Sequence, residues 1–284
     1  MVEFGPLEKL HDGMSFGEGP VWNRRDGSFY WVDIVGDRIY RRPKNGRVEV
    51  FREPTTHANG LTFDREGRLL VAGWASRSVW RLEPDGSMTT LASRYRGKKI
   101  NSPNDIVVQS DGSIWFTDSP GALYNPGMEA DDLQQYLDFQ GVFRITPDGR
   151  LEAPITDPVY PNGLAFTPDE KVLYVNDSRL GDIRAYDVRA DGSCGPMRLF
   201  HKLAGPIQEG IADGMKVDRE GNVYCTGPGG IHVIAPDGQL LTRLLTSEHC
   251  TNMAFGDDDW RSLYITTYHA LYRTRVNVPG VEVW

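Results

Sequence analysis

Six residues recur at equivalent points along the 284-residue chain: Glu18, Asn59, Asn104, Asn162, Asp213 and Asn252, separated by 41, 45, 58, 51 and 39 positions. Each stands just ahead of an apolar run. Two are carboxylates and four are carboxamides, so every one offers a side-chain oxygen. Oxygens gathered at one point suit a hard divalent cation such as Ca²⁺, Mg²⁺ or Mn²⁺. Glu18 and Asp213 would neutralise its charge. Asn104 and Asn162 would add neutral oxygens, with water completing the shell. The set has no sulfur or histidine, which argues against structural Zn²⁺ and leaves catalytic Zn²⁺ open. Asn-Gly and Asp-Gly are also common turn dipeptides. Asn59-Gly60, Asn162-Gly163 and Asp213-Gly214 could therefore simply shape a turn. Glu18, within Gly17-Glu18-Gly19-Pro20, has no turn reason to be an acid.

Such residues meet only if the elements behind them are arranged radially. After each one comes an apolar strand, then a turn such as Arg65-Glu66-Gly67, Asp111-Gly112 or Glu220-Gly221, then a second strand rich in Val, Ile, Leu, Tyr and Trp. Most units add a third strand and another turn, as at Pro84-Asp85-Gly86, Pro147-Asp148-Gly149 and Pro236-Asp237-Gly238. Four strands per unit at a period of about 40–50 residues is the signature of a propeller blade. The prediction is an all-β protein: a six-bladed β-propeller with four-stranded blades, forming a single domain over 1–284. Its central channel would hold the cation, because innermost strands line that channel and the six residues would ring one mouth. No amphipathic helices separate the strands, which excludes an α/β layer architecture. The segment Val2 to Leu10 is expected to supply the outer strand of the last blade and close the ring. One unit carries an insertion, 120–140. It should project over the same mouth as a lid, with a short helix from Met128 to Leu137.

Composition narrows the function. A net charge of −8 argues against a nucleic-acid binder. Cys194, Cys225 and Cys250 are odd in number and far apart, so neither a disulfide framework nor a zinc site is expected. The first residues lack the apolar core of a signal peptide, and no run suits a membrane span. The cytoplasm is the expected compartment, with a small molecule as partner and no membrane. Oligomeric state has no signal.

Four motifs carry a resemblance: Ser15-Phe16-Gly17-Glu18-Gly19-Pro20-Val21-Trp22, Asn101-Ser102-Pro103-Asn104-Asp105, Pro161-Asn162-Gly163-Leu164 and Ala212-Asp213-Gly214-Met215. In order and position they resemble the family of regucalcin (senescence marker protein), gluconolactonase and luciferin-regenerating enzyme, and read most like its bacterial gluconolactonase branch. The resemblance implies a six-bladed propeller with one divalent cation, Ca²⁺ foremost, that hydrolyses sugar lactones. Carried over, Glu18, Asn162 and Asp213 are metal ligands. Asn104 contacts metal or substrate, and Asp213 doubles as general base. The regucalcin branch has an Arg-aromatic-Asn sequence where this chain has Ser102-Pro103-Asn104, so a sugar-contacting arginine is absent there. Diisopropylfluorophosphatase and strictosidine synthase resemble the same architecture more distantly, so the fold leaves the reaction open.

A lactone is a cyclic ester, and its hydrolysis needs a polarised carbonyl, an activated water and an oxyanion partner. A cation supplies polarisation and acidifies water. Asp213 either binds through one oxygen and accepts a proton on the other, or leaves activation of the water to the cation. Asn104 could donate to the oxyanion. No Gly-x-Ser-x-Gly elbow offers a serine nucleophile. Substrate contacts are assigned to Asn101, Asn59, His57, Trp74 and Asp118, with Tyr124 and Tyr136 as walls. Two other readings stay open: a phosphotriesterase or other ester hydrolase, and a non-catalytic calcium-binding or interaction propeller.

Overall fold

The strands that follow each recurring residue are apolar on both faces because adjacent blades sandwich them. In the computed structural model, which describes residues 1–44 and 46–283, six four-stranded antiparallel sheets surround one axis. Their innermost strands are Gly17–Asn23, Ala58–Phe63, Ser102–Val108, Pro161–Phe166, Met215–Val217 and Cys250–Gly256. Second strands such as Ser28–Asp33 and Ile114–Ser119 are buried throughout. Outer strands such as Leu240–Leu245 face solvent on alternate residues. Burial therefore falls from the axis outward, as the change from apolar runs to alternating ones implies.

The hairpin turns follow from their chemistry. Asp85 and Asp111 each accept a backbone N–H two residues on, from Ser87 at 2.9 Å and Ser113 at 2.7 Å. Gly86 and Gly112, at φ 84° and 89°, occupy the left-handed region that other residues avoid.

The ring closes between the chain's two ends. Glu8–Asp12 pairs with Ala270–Arg275 as the outer strand of blade six, and Phe4 bridges Val276. The strand thus begins later than Val2 and ends later than Leu10, while residues ahead of it stay beside the last blade through the Phe4 bridge and a Gly5 N–H to Arg275 carbonyl bond of 2.8 Å. Aromatic stacking reinforces the join, with Phe29 of blade one lying 4.0 Å from Tyr264 of blade six between ring centroids. Deleting residues 1–12 would expose the edge of Ala270–Arg275. We expect the melting temperature to fall by roughly 10 °C, with concentration-dependent aggregation, as read by calorimetry and light scattering.

The insertion after Ile114–Ser119 contains only a three-residue 3₁₀ turn, Gly121–Leu123. The helix expected from Met128 to Leu137 is absent. Buried Arg77 explains this: its Nη1 donates to the carbonyls of Asp132 (2.7 Å) and Gln134 (3.0 Å), removing acceptors a helix would use. The Asp132 side chain also caps Gln134 N–H at 3.1 Å in a local turn. Among the described residues no helix is long and apolar enough to cross a membrane. The three cysteines are free thiols, and burial pushes Cys225 up to about 12.

Candidate active site

Five of the six recurring residues lie at a backbone irregularity shared by their blades, whereas Asp213 precedes Met215–Val217, which pairs in regular register. Where innermost and second strands pair, register slips between Glu18 and Val21, Ala58 and Leu61, Pro103 and Ile106, Pro161 and Leu164, and Cys250 and Asn252. Each slip is a bulge that re-aims a side chain. It falls at the start of the strand, so the re-aimed oxygens gather at one mouth.

The neighbouring glycines have a different task from turn-making. A Cβ on Gly19 would sit 2.1 Å from the Asn59 carbonyl oxygen, one on Gly60 2.3 Å from that of Asn104, and one on Gly163 2.3 Å from that of Asp213. A Cβ on Gly214 would collide with Asn252 at 2.1 Å. These glycines let four of the six innermost strands touch the leading residue of the next blade. Second-strand side chains tie down the same backbone: Thr117 Oγ1 donates to the Asn162 carbonyl (2.6 Å) and Asn176 Nδ2 to the Asp213 carbonyl (2.6 Å).

A pocket of about 420 Å³ opens at this mouth, and Glu18, Asn59, Asn104, Asn162 and Asp213 line it. All five are buried, Glu18 to 1 % exposure and Asp213 to 7 %. The side-chain oxygens Oδ1 of Asn59, Asn104 and Asn162 have no hydrogen-bond partner among the described residues. An unsatisfied buried amide oxygen is costly. Three beside two carboxylates are a donor set that fits a hard cation, with Asn59 joining it. Among the described residues no three His, Cys, Asp or Glu gather as a metal group, so amides must complete the set.

Glu18 is fixed from two sides: Oε2 accepts Gly19 N–H at 2.7 Å and Asn252 Nδ2–H at 2.8 Å. Asn252 thus lies behind the ring, spending its amide on Glu18. Asn162 Nδ2 donates to Ser178 Oγ at 3.0 Å, which orients its amide. Burial pushes the Glu18 carboxyl up to about 7 against those two hydrogen bonds. Burial, then the Glu18 charge, raises Asp213 well above the usual range.

Sequence patterns gave no sign of the layer beneath. Asp105 Oδ2 lies 3.4 Å from Lys216 Nζ, which also donates to the Met215 carbonyl at 2.9 Å. Once ionised, three carboxylates against one ammonium would leave two uncompensated negative charges, matching one divalent cation.

These shifts predict a pH dependence of the cation-free protein. Carboxyls whose folded pKa is raised bind protons more tightly folded than unfolded. Stability is therefore full below the unfolded carboxylate range near pH 4 and declines as pH rises towards about 7 for Glu18. Chelator-treated protein should lose several degrees of melting temperature between pH 5 and pH 8, and Glu18→Gln should flatten the slope. A slope of opposite sign would contradict the burial assigned to Glu18.

The remaining predicted contacts divide. Trp74 and Tyr124 line the pocket, and Trp74 Nε1 donates to the Met128 carbonyl of the insertion at 3.1 Å. Four others lie outside it. His57 Nδ1 is 2.6 Å from the Ile34 carbonyl, which turns its ring away. Asn101 Nδ2 donates to the Phe139 carbonyl at 3.1 Å. Asp118 Oδ2 accepts the Asn101 N–H at 2.8 Å, and burial pushes its carboxyl up to about 7. Tyr136, within the insertion, lies against Arg77, 5.6 Å from guanidinium to ring centroid. Tyr160 and Tyr268 complete the walls instead. A second cavity of about 120 Å³, at the far ends of the innermost strands, is lined mainly by apolar groups such as Val21, Leu61 and Phe166.

Comparison with known proteins agrees with this architecture. Residues 16–269 match the family described as the SMP-30/Gluconolactonase/LRE-like region. A gluconolactonase of Zymomonas mobilis is 29 % identical, over 97 % of this chain and 82 % of its own. A 6-deoxy-6-sulfogluconolactonase of Pseudomonas putida is also 29 % identical, over 93 % and 92 %. The solved structure of a gluconolactonase from Xanthomonas campestris superposes with a TM-score of 0.89 at 35 % identity, covering 97 % of this chain and 90 % of that one.

Proposed function

Because this chain belongs to the SMP-30/gluconolactonase/LRE-like family, we propose that it is a lactonase opening a sugar lactone with water, with one divalent cation, Ca²⁺, at the channel mouth. The observation that carries this reading is the ring of two buried carboxylates and three unpartnered amide oxygens lining one pocket. All five donors are oxygens and three are neutral, which suits calcium. Relatives of similar length named as gluconolactonases support the substrate class.

Glu18, Asn162 and Asp213 would hold the cation, with Asn104 and Asn59 presenting oxygens beside them. When bound, a divalent cation polarises the lactone carbonyl and makes water more acidic. Asp213 takes a proton from the attacking water and returns one to the ring oxygen as the carbon–oxygen bond breaks. A ligating carboxylate is ordinarily a weak base, and burial and the Glu18 charge act on Asp213 in the opposite direction, raising its proton affinity. Glu18 stays in place through Gly19 and Asn252. The buried oxygen of Asn104 has no partner among the described residues, which suits a ligand role, and its Nδ2 is left to donate to the developing oxyanion. Trp74, Met128 and Tyr124 bring the insertion against the pocket, where it would exclude bulk water as a lid.

A pH-indicator assay on aldonolactones, simple esters and a phosphotriester, after chelation and Ca²⁺ add-back, tests the reading. Cation-restored opening of a lactone is expected. Absence of restored activity on every lactone would overturn it, and turnover of the phosphotriester alone would assign the scaffold to that chemistry instead.

A further inference from the structure

Within the pocket, one charged group has no task in ring opening. Arg179 lines it from the connection between Val172–Asp177 and Asp182–Asp187 of blade four. Glu18 and Asp213 are the other charged side chains lining it, and both belong to the oxygen ring. The walls near Arg179, including Tyr160, Ile207 and Ile211, are uncharged.

Its backbone is held. Asp177, fully buried, accepts the N–H groups of Arg179 and Leu180, each at 3.0 Å. The same carboxylate lies 3.9 Å from Arg184 Nη2. Asp177 is therefore committed to the turn and to Arg184. Among the described residues the Arg179 guanidinium has no carboxylate or hydrogen-bond acceptor. The residue is exposed and lines the pocket.

Neutral hydroxyls can be met by the amides and tyrosines already present. An unpaired guanidinium does something those groups cannot: its planar fork binds phosphate, sulfonate or carboxylate through paired charge-assisted hydrogen bonds. With Glu18 and Asp213 neutralising a bound cation, the floor carries no net charge, and Arg179 is the remaining cationic side chain lining the pocket that could select the anionic end of a substrate. We propose that the physiological substrate is an aldonolactone bearing an anionic group remote from its ring carbonyl, and that Arg179 binds that group. This rests on the lactonase reading and adds the substrate's charge.

The test compares cation-loaded enzyme on D-glucono-1,5-lactone, its 6-phosphate, its 6-deoxy-6-sulfonate and a lactone ending in a carboxylate. At least one charged lactone should exceed the neutral one about tenfold in kcat/KM, and the arm that does so identifies the anion. Arg179→Gln should lower that ratio about tenfold through KM, and Arg179→Lys should restore part of it. Calorimetry with ring-opened acids tests binding without turnover: gluconate 6-phosphate, the 6-sulfonate or the dicarboxylate should bind about tenfold tighter than gluconate, and Arg179→Gln should remove the difference. Hydrolysis of the neutral lactone with no preference for any charged one would overturn this proposal alone, as would a ratio unchanged by Arg179→Gln. If no lactone is opened, the lactonase reading fails, and equal binding of gluconate and the acids bearing a second anionic group would overturn the role of Arg179 separately.

Discussion

Glu18→Gln is expected to yield a protein that is more stable without cation and inactive with it. The carboxyl is almost fully buried and resists ionisation, so removing its charge relieves a desolvation cost at neutral pH. A neutral amide also removes half of the pocket's carboxylate charge. Even outer-shell partners of a metal are worth about 10–100-fold in affinity, so losing a carboxylate ligand should cost at least about 100-fold. Asp213→Asn should behave alike and also remove the proposed proton acceptor. Melting curves with and without Ca²⁺ check both halves. A Glu18→Gln protein that kept Ca²⁺-dependent stabilisation would remove Glu18 from the site.

The second large effect is expected at a residue with no side chain of its own. Gly163→Ala would place a methyl 2.3 Å from the Asp213 carbonyl oxygen and 2.8 Å from Met215 N. Both neighbours are backbone, so they cannot rotate away, and the innermost strands of blades four and five must separate. That separation moves Asn162 and Asp213 together. We expect a loss of roughly 2 kcal/mol of stability from overpacking and about a 100-fold loss of Ca²⁺ affinity. Gly195→Ala is the control: its new methyl meets Asp187 at an ordinary 3.5 Å, and the site should be unaffected. Equal effects in the two variants would show that the close approach of the strands is unimportant.

The blades were legible because each repeats the same hairpin chemistry, in which Asp accepts a nearby N–H and Gly takes a positive φ. The insertion was not, because its conformation is set by Arg77, 55 residues from Asp132 in sequence. Asn59 and Asn252 show a subtler limit. They share residue type and repeat position, yet Asn59 leaves its oxygen in the pocket while Asn252 donates to Glu18. The difference comes from which blade stands next to each, and ring closure makes Glu18 the neighbour of Asn252. Lys216, Asp105 and Arg179 break the repeat rather than follow it, so periodicity could not flag them. His57, Asn101, Asp118 and Tyr136 are near the mouth in sequence, but backbone carbonyls, a backbone N–H and Arg77 engage them elsewhere.

The account stands on the link between one bound cation and ring opening. It is tested most directly by titrating chelator-treated protein with Ca²⁺ while following both bound cation and δ-gluconolactone hydrolysis in the same sample. Hydrolysis should rise in proportion to occupancy and level off at one cation per chain. Full hydrolysis without bound cation, or saturation of the site with no hydrolysis, would contradict it.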